Sequence, residues 1–436
     1  MRGLSTNGLS MQLRRLLTLG VTLALVMSCG IAAQSPSLEP TAAPTEGPTS
    51  EPTAQPTQGP TGEPTEEPTQ GPTDAPTPPP SPAGQLDFAN WPLYIDIDED
   101  TGGYPTLEQF ESDAGIDVNY VEAINDNEEF FGRILPDLAA GRSTGWDIIV
   151  MTDWMIERLI RLGYLQELDH SMLSNFQSNA EEFFADAWYD PGNRYSLPWQ
   201  SGIVGIGYNP TLTGREITSF DDLLDPEFAG RVGMFSEMRD TMSLALLSIG
   251  VVPEEATIED VEAAQAKLLE AAERGQFRAF YGNDYYDALA VGDVALTMAW
   301  SGDVSQMKLY DNPDVEFVVP EDGGMLFVDS MAIPKNAEHP VDAHMMMDYW
   351  YDLEAATTLT EYIGYFSPVD GVRDLILQHS EEARAEGDTE WADQLLVIAD
   401  TSYPSEDQLE NVYIYKILSE QEERIWNDLF NEVFSG

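Results

Sequence analysis

The residues Trp146-Asp147-Ile148-Ile149-Val150-Met151 form a short apolar run of the length expected for a buried strand. A helical pattern follows almost at once, because apolar residues recur three and four positions apart from Trp154 to Leu162, and Gly163 then provides a stop signal. A strand that leads directly into an amphipathic helix is the repeating unit of α/β proteins. We therefore expect an α/β domain.

The same alternation continues along the chain. The segment from Thr257 to Gly275 predicts another long helix, which begins at a threonine cap and ends at glycine. Further apolar segments predict buried strands at Ile203 to Tyr208, Val294 to Trp300 and Met331 to Pro334. The folded part is expected to begin near Leu86, which leaves roughly 350 residues, enough for two ordinary domains.

The charge of the chain is strongly negative. It has 77 acidic and 20 basic residues, which gives a formal net charge of -57. Such a field disfavours nucleic acid and anionic lipid as partners and concentrates cations near the surface. Surface acidity that serves solubility or a saline habitat explains the same composition. Net charge therefore argues against a nucleic-acid partner but does not locate a site.

The amino terminus has the layout of an export signal. Arg14 and Arg15 precede an apolar run from Leu16 to Ser28, which is too short to span a bilayer comfortably. Cys29, the only cysteine of the chain, follows this run, and the tetrapeptide that it ends resembles the bacterial lipobox. In a lipobox the cysteine is acylated and becomes the first residue of the mature protein. We predict a lipoprotein signal peptide over 1–28 and a lipid anchor on Cys29; an ordinary secretory signal is the alternative.

The sequence of residues 29–85 predicts a stalk between the lipid anchor and the folded domain. A Pro-Thr pair recurs every four residues from Pro40 to Thr77, and small or polar residues fill the spaces between the pairs. Because the Pro-Thr repeat has no large apolar side chains to bury, it cannot form a core, and we expect a disordered, extended chain of polyproline-II type. At ~3.1 Å per residue it would reach on the order of 100 Å.

The sequence carries none of the common catalytic signatures. It has no Gly-x-Ser-x-Gly elbow, phosphate loop or dinucleotide fingerprint. Asp96 to Asp100 is similar to the start of a calcium loop, but Thr101 and Leu107 stand where that loop needs glycine and glutamate. The histidines lack a convincing metal-ligand spacing, and they are His170, His339, His344 and His379. We expect no catalytic residue, cofactor or metal ion, with calcium at Asp96 to Asp100 left as an alternative.

Aromatic residues and carboxylates occur together where strands are expected to end. The pairs are Asp153 with Trp154, Trp300 with Asp303, and Phe327 with Asp329. Residues two apart in a strand face the same side, so Phe327 and Asp329 can line one wall. Aromatic faces and buried acids together suit an organic ammonium ion. Spacing alone leaves open the alternative that the tryptophans belong to the core and the acids cap helices.

Several motifs follow one another in order from Leu86 to the carboxyl terminus. They are Asn90-Trp91-Pro92-Leu93-Tyr94, Trp146 to Val150 with Thr152-Asp153-Trp154, Phe220 to Gly230, Gly292-Asp293-Val294 with Trp300-Ser301-Gly302-Asp303, Asp329 to Pro334, and Ile363-Gly364-Tyr365. By these motifs the folded part resembles the bacterial spermidine/putrescine-binding proteins, the solute receptors of polyamine ABC importers.

The resemblance implies a polyamine pocket. The positions that match the family's binding residues are Trp91, Tyr94, Thr152, Trp154, Glu237, Asp240, Trp300, Asp303, Phe327, Asp329 and Tyr365. Asp329 matches the principal acid for a terminal ammonium, and Tyr365 matches a tyrosine that closes the pocket. A glutamine that some receptors contribute near the carboxyl terminus has no clear counterpart, although Tyr415 and Lys416 lie in that neighbourhood.

The fold implied by the resemblance is a two-lobed periplasmic-binding-protein fold of type II, which closes about a hinge. Hinge crossings are expected near Ser201 to Gly205, near Gly324 to Phe327 and after Val372. Lobe 1 would then comprise about residues 86–202 and 328–373, and lobe 2 about residues 206–323 and 378–436.

The function implied by the resemblance is that of an extracytoplasmic, non-enzymatic receptor that delivers a polyamine to an ABC permease and its ATPase. It would be either lipid-anchored to the outer face of the cell membrane or periplasmic. Two alternatives stay open. One is a receptor of the same fold for a sugar or another small solute. The other is an extracytoplasmic glycoside hydrolase that uses Glu237 and Asp240 as acid and base. The mapped residues do not separate spermidine from putrescine.

Overall fold

The computed structural model describes residues 81–98, 101–404 and 409–435. The predicted signal peptide, Cys29 and the stalk as far as residue 80 lie outside these ranges, as do Glu99 and Asp100 of the acidic turn. The described residues alternate strands with helices, as the sequence predicts.

The strands, in chain order, are β1 (Gln85–Asn90), β2 (Asp117–Glu122), β3 (Ile148–Thr152), β4 (Ser196–Tyr208), β5 (Val232–Phe235), β6 (Phe277–Tyr281), β7 (Leu296–Trp300), β8 (Glu316–Val318), β9 (Gly324–Ala332) and β10 (Val412–Tyr413). The α-helices are α1 (Pro105–Ala114), α2 (Asn127–Ala139), α3 (Asp153–Leu162), α4 (Ser174–Asn179), α5 (Pro210–Thr213), α6 (Met238–Leu247), α7 (Ile258–Glu273), α8 (Tyr285–Ala290), α9 (Ser301–Tyr310), α10 (Pro340–Tyr349), α11 (Leu353–Ile363), α12 (Val372–Glu386), α13 (Thr389–Thr401) and α14 (Glu420–Ser435). Short 3-10 helices cover His170–Met172, Phe220–Leu224, Pro226–Phe228 and Pro253–Glu255.

The strands pair in the order β2-β1-β3-β9-β4-β7-β5-β6, with β8 on β4 and β10 on β9. At one end of this path β2, β1 and β3 are parallel, and at the other end β7, β5 and β6 are parallel. The long strands β4 and β9 lie between these groups and run antiparallel to each other and to β7 and β3, whereas the short β10 is parallel to β9. We call the β1–β3 side the first half and the β5–β7 side the second half.

Strands β4 and β9 pass from one half into the other. Residues Ser196 to Val204 of β4 pair with β9, whereas Val204 to Tyr208 pair with β7. The carboxyl-terminal residues of β9 pair with β3 in the first half, and its first two residues pair with β10. The two long strands therefore connect the two halves of the sheet.

The boundaries of β3 and α3 follow from local chemistry. Every residue of β3 is buried, as expected for a parallel strand covered on both faces. Helix α3 ends where Gly163 adopts a φ of 72°, and its N–H donates to the carbonyl groups of Leu159 and Ile160. Both elements were predicted, and their observed ends lie within two residues of the sequence pattern.

Helix α7 also begins as the sequence predicts. Thr257 Oγ1 accepts a hydrogen bond from the N–H of Asp260, and the Asp260 carboxylate accepts one from the N–H of Thr257. This reciprocal pair is a capping box, which satisfies two helix-terminal N–H groups.

Two predicted strands were too short. The strand expected at Met331 to Pro334 is only the end of β9, which begins at Gly324 and ends at Ala332. Asp329 and Ser330 interrupt the apolar pattern, although both are buried. The strand expected at Ile203 begins at Ser196, and a register shift after Pro198 accommodates the proline, which has no N–H to donate.

Within the described ranges, every helix is either too short or too polar to cross a membrane.

Candidate functional site

A cavity opens between the two halves. In each half the carboxyl ends of the parallel strands point toward it, the position where open α/β sheets bind ligands. Residues after β1 and β3 come from the first half, residues after β5 and β7 from the second, and β9 crosses between them. The lining consists of Trp91, Pro92, Tyr94, Asn127, Thr152, Glu237, Asp240, Asn283, Trp300, Asp303, Phe327, Asp329, Tyr365 and Tyr415.

Asp329 lies at the junction of the halves, on strand β9. Its carboxylate accepts hydrogen bonds from the hydroxyl of Tyr94 at 2.9 Å and from the hydroxyl of Thr152 at 2.8 Å. Burial raises the pKa of Asp329 to about 7, although both hydroxyl groups favour the charged form. The two donors fix the orientation of the carboxylate and leave its remaining lone pairs for a ligand.

Asp303 lies in the first turn of α9 and is held by two phenols. Tyr285 donates to one carboxylate oxygen at 2.9 Å, and Tyr365 donates to the other at 2.5 Å. Burial raises the pKa of Asp303 to about 6, against these two hydrogen bonds. Tyr365 packs closely against α9, because a Cβ atom at Gly302 would lie 2.4 Å from its ring. A side chain at Gly302 would therefore displace the tyrosine that positions Asp303.

Glu237 and Asp240 are the acids of the second half, at the start of α6. Glu237 Oε1 accepts hydrogen bonds from the backbone N–H of Asn127 at 2.6 Å and from its side chain at 3.0 Å, whereas Glu237 Oε2 is buried without a partner. The hydroxyl of Tyr415 donates to Asp240. Burial raises the pKa of Asp240 to about 7. Burial, together with the charges of Asp126 and Asp240, raises the pKa of Glu237 well above its usual range.

The cavity therefore concentrates acidic groups without a matching base. Glu237, Asp240, Asp303 and Asp329 are each at most 6% exposed, and neither lysine nor arginine belongs to the described lining. Buried carboxylates are costly unless a cation or hydrogen-bond donors compensate them. A ligand with N–H donors and positive charge would supply both kinds of compensation.

Aromatic rings form the remaining walls. Trp91 is fixed by a hydrogen bond of 3.0 Å from its indole N–H to the carbonyl of Val150. Trp300 is half-buried and stacks on Phe235 with ring centroids 4.4 Å apart. Phe327 meets Tyr365 edge to face at 6.1 Å. Rings held in this way present fixed faces to methylene groups and to cations.

The cavity brings together every predicted binding residue except Trp154. That tryptophan is the second residue of α3 and packs under the guanidinium group of Arg239, with the Arg239 Cζ atom 5.0 Å from the ring centroid. Thr152, the last residue of β3, reaches the cavity instead. As predicted, Phe327 and Asp329 lie two apart in one strand and line one wall.

Sequence reasoning missed several polar groups of the site. Asn127 and Asn283 line the cavity from the amino terminus of α2 and from the turn before α8. Tyr285 lies behind the lining and orients Asp303. Tyr415 fills the neighbourhood in which the resembled family carries a glutamine, and that correspondence was the one available signal for it.

Two other acidic groups have structural partners. Asp87, Asp147 and His339 offer ligand atoms within 4.8 Å of one another, but both Asp147 oxygens already accept hydrogen bonds from N–H groups of Asp87 and His339. Asp96, from the predicted acidic turn, accepts hydrogen bonds from the N–H and the hydroxyl of Thr106 at the start of α1. The first group links the start of α10 to the sheet, and the second fixes the start of α1.

Comparison with known proteins places this geometry in a family. Residues 106–386 match the bacterial extracellular solute-binding protein family. The chain belongs to this family. Spermidine/putrescine-binding periplasmic protein 1 of Haemophilus influenzae is 32% identical over 260 residues, which are 59% of this chain and 70% of that protein. A putrescine/cadaverine-binding protein of Pseudomonas aeruginosa is 31% identical over 298 residues, which are 66% and 80% of the two chains.

A solved structure shows the same architecture. The spermidine/putrescine ABC transporter substrate-binding protein PotD of Streptococcus pneumoniae matches with a TM-score of 0.63 and 25% identity, covering 80% of this chain and 98% of that one. The predicted two-lobed periplasmic-binding-protein fold is thereby confirmed. As a member of the solute-binding family, the chain is extracytoplasmic and is not an enzyme, so the glycoside hydrolase alternative is wrong.

Proposed function

We propose that this solute-binding protein is a receptor for spermidine or putrescine that delivers its ligand to an ABC importer. The observation that carries the proposal is the set of four buried carboxylates that line one cavity together with aromatic rings and no described basic side chain. A polyamine matches this set, since its ammonium groups satisfy acids and its methylene groups lie against rings. The names of the relatives support the same ligand class.

The acids also bear on the sugar alternative. A neutral sugar can donate hydroxyl hydrogen bonds to Asp329 or Glu237, but it brings no charge to offset several carboxylates in one buried space. We expect calorimetric titration to show saturable, one-to-one binding of spermidine or putrescine and none of a neutral oligosaccharide. Binding of the oligosaccharide alone would contradict the proposal and favour the sugar receptor.

Trp300 provides a test of the aromatic wall. Replacing it with alanine should weaken polyamine binding by roughly 1–2 kcal/mol, because the ring face that a cation and its methylene chain would contact is lost. Trp300→Phe keeps a ring on the Phe235 stack and should lose less. Calorimetry on both variants, with circular dichroism as a check of folding, measures the difference. Equal affinity in Trp300→Ala and the parent would make this residue part of the core only.

Ligand delivery in this proposal depends on closure of the two halves. The hinge is proposed at the three crossings predicted from the resemblance, of which two lie in β4 and β9 and the third follows Val372. The lobe boundaries given above remain part of the proposal. Closure around a ligand creates the surface that a permease recognises. The acids of the site are contributed by both halves, so a ligand that contacts all of them stabilises the closed form.

The lipid anchor is a further part of the proposal, supported by the lipobox-like sequence that ends in Cys29. Removing the acylated group with Cys29→Ala should release the protein from the membrane, because one signal for stable attachment is lost. Ligand affinity should stay unchanged, since the predicted stalk separates the anchor from the domain. Cell fractionation with an immunoblot measures release. A variant that stays in the membrane fraction would show that the anchor prediction is wrong.

A further inference from the structure

An ionic cluster joins the two halves beside the cavity. Glu423, in α14, is only 5% exposed. Its carboxylate lies 3.2 Å from Arg158, 3.3 Å from Arg239 and 3.8 Å from Arg161. Arg158 also binds Glu128 at 2.7 Å. None of these residues lines the ligand cavity.

The members of this cluster belong to different halves. Arg158 and Arg161 are in α3, which follows β3 of the first half. Arg239 is in α6, which follows β5 of the second half, and α14 packs on α6 and α7. An opening motion that separates the halves would therefore break the contacts of Glu423 with Arg158 and Arg161. It would leave the contact with Arg239 intact.

Arg239 holds Glu423 in place within the second half. Arg239 is 3% exposed, and its guanidinium group donates to the Lys416 carbonyl at 2.7 Å as well as to Glu423. The segment that it fixes carries Tyr415, which donates to Asp240 in the cavity. Arg239 itself directly precedes Asp240. The ionic cluster is thus connected to the ligand site through adjacent residues.

We propose that Glu423, positioned by Arg239, is a latch residue that binds Arg158 and Arg161 only when the halves are closed, and so determines how long the ligand is retained. Contacts made in one of two conformations shift the equilibrium toward that conformation. The cluster is also shielded from solvent, where charge pairs are screened less than on the surface. The retention effect rests on the proposed polyamine function, whereas the closure effect does not.

The test compares Glu423→Gln with Glu167→Gln. Glu167 pairs with Arg194 at 2.9 Å, and both residues lie in the first half, so this control removes an ion pair that closure does not form. We expect Glu423→Gln to raise the spermidine dissociation rate about ten-fold, with a smaller change in the association rate, because closed-state contacts act on escape. Stopped-flow tryptophan fluorescence on the full chain measures both rates.

A double-mutant cycle separates a latch from general destabilisation. Arg158→Gln and the double variant with Glu423→Gln should each resemble the single Glu423 variant, so the two effects should not multiply. Arg161 is a more exposed partner of Glu423 than Arg158, so Arg161→Gln should raise the dissociation rate less. This variant replaces the others in the test if the buried variants fail to fold. Independent, multiplying effects, or a rate equal to that of Glu167→Gln, would overturn the latch.

Hydrogen exchange in the ligand-free protein tests the latch independently of the proposed polyamine function. The N–H of Asn127 donates to Glu237 across the cavity, and the N–H of Asn283 donates to the Asn125 side chain across the same gap. Opening breaks both hydrogen bonds, so Glu423→Gln should speed hydrogen exchange at these amides about ten-fold in the free protein. Unchanged exchange would refute the latch even if spermidine binds. Faster exchange in a protein that binds no polyamine would support the latch and refute the proposed ligand.

Discussion

Asp329→Asn is expected to weaken polyamine binding by on the order of 2–5 kcal/mol, because it leaves a buried ammonium group without its opposing charge. The substitution keeps the shape of the side chain, and the hydroxyl groups of Tyr94 and Thr152 can still hydrogen-bond to the amide. The loss therefore reports charge rather than packing. It corresponds to roughly thirty-fold or more in the dissociation constant.

The control for this experiment is neutralisation of acids far from the cavity. Glu381 and Glu382 lie on exposed positions of α12. Their replacement by glutamine should change mainly the association rate and its dependence on salt, since exposed charges are screened. Calorimetry at moderate ionic strength, after a folding check by circular dichroism, compares the two. Small and equal losses would mean that the charge of -57 attracts polyamines without a specific site.

The acids of the site could be predicted from the sequence because their positions follow from the alternation of residues in a strand or from the motifs shared with the polyamine-binding family. Phe327 and Asp329 were expected on one wall because alternate residues of a strand face the same side, and β9 places them so. Periodicity worked less well for the strand itself, because Asp329 and Ser330 are buried polar residues that disguise the apolar pattern. The predicted strand was therefore too short, because these two polar residues lie in the middle of β9.

Trp154 shows what the sequence could not decide. A helix turns by about 100° per residue, so a position near the start of α3 can face the cavity or the neighbouring helix. The outcome depends on Arg239, which lies 85 positions later in the chain and stacks on the ring. Tyr415 and Tyr285 were missed for the same reason, since their hydroxyl groups act on acids that only the tertiary fold brings near.

Acidification should weaken polyamine binding, at least about a hundred-fold between pH 8 and pH 5 if a single site acid with a pKa near 7 must be ionised in the complex. In the free protein burial raises the pKa of Asp329 and of Asp240 to about 7, and that of Asp303 to about 6. Below those values the acids hold protons that a bound ammonium group must displace. The amines of the ligand stay protonated throughout, because alkyl ammonium groups have pKa values of about 10.

Acidification has the opposite effect on the stability of the free protein against unfolding, which it increases. The raised pKa values mean that the folded state binds protons more tightly than the unfolded state between about pH 4 and pH 7, so these acids make the free protein more stable as the pH falls through that window. Ligand-induced stabilisation should shrink over the same range.

Calorimetry at pH 6 in buffers of different ionisation enthalpy should show release of on the order of two protons on binding. Asp329→Asn should release fewer protons than the parent. An affinity that stays constant from pH 8 to pH 5, with no proton release, would mean that the ligand does not contact these carboxylates.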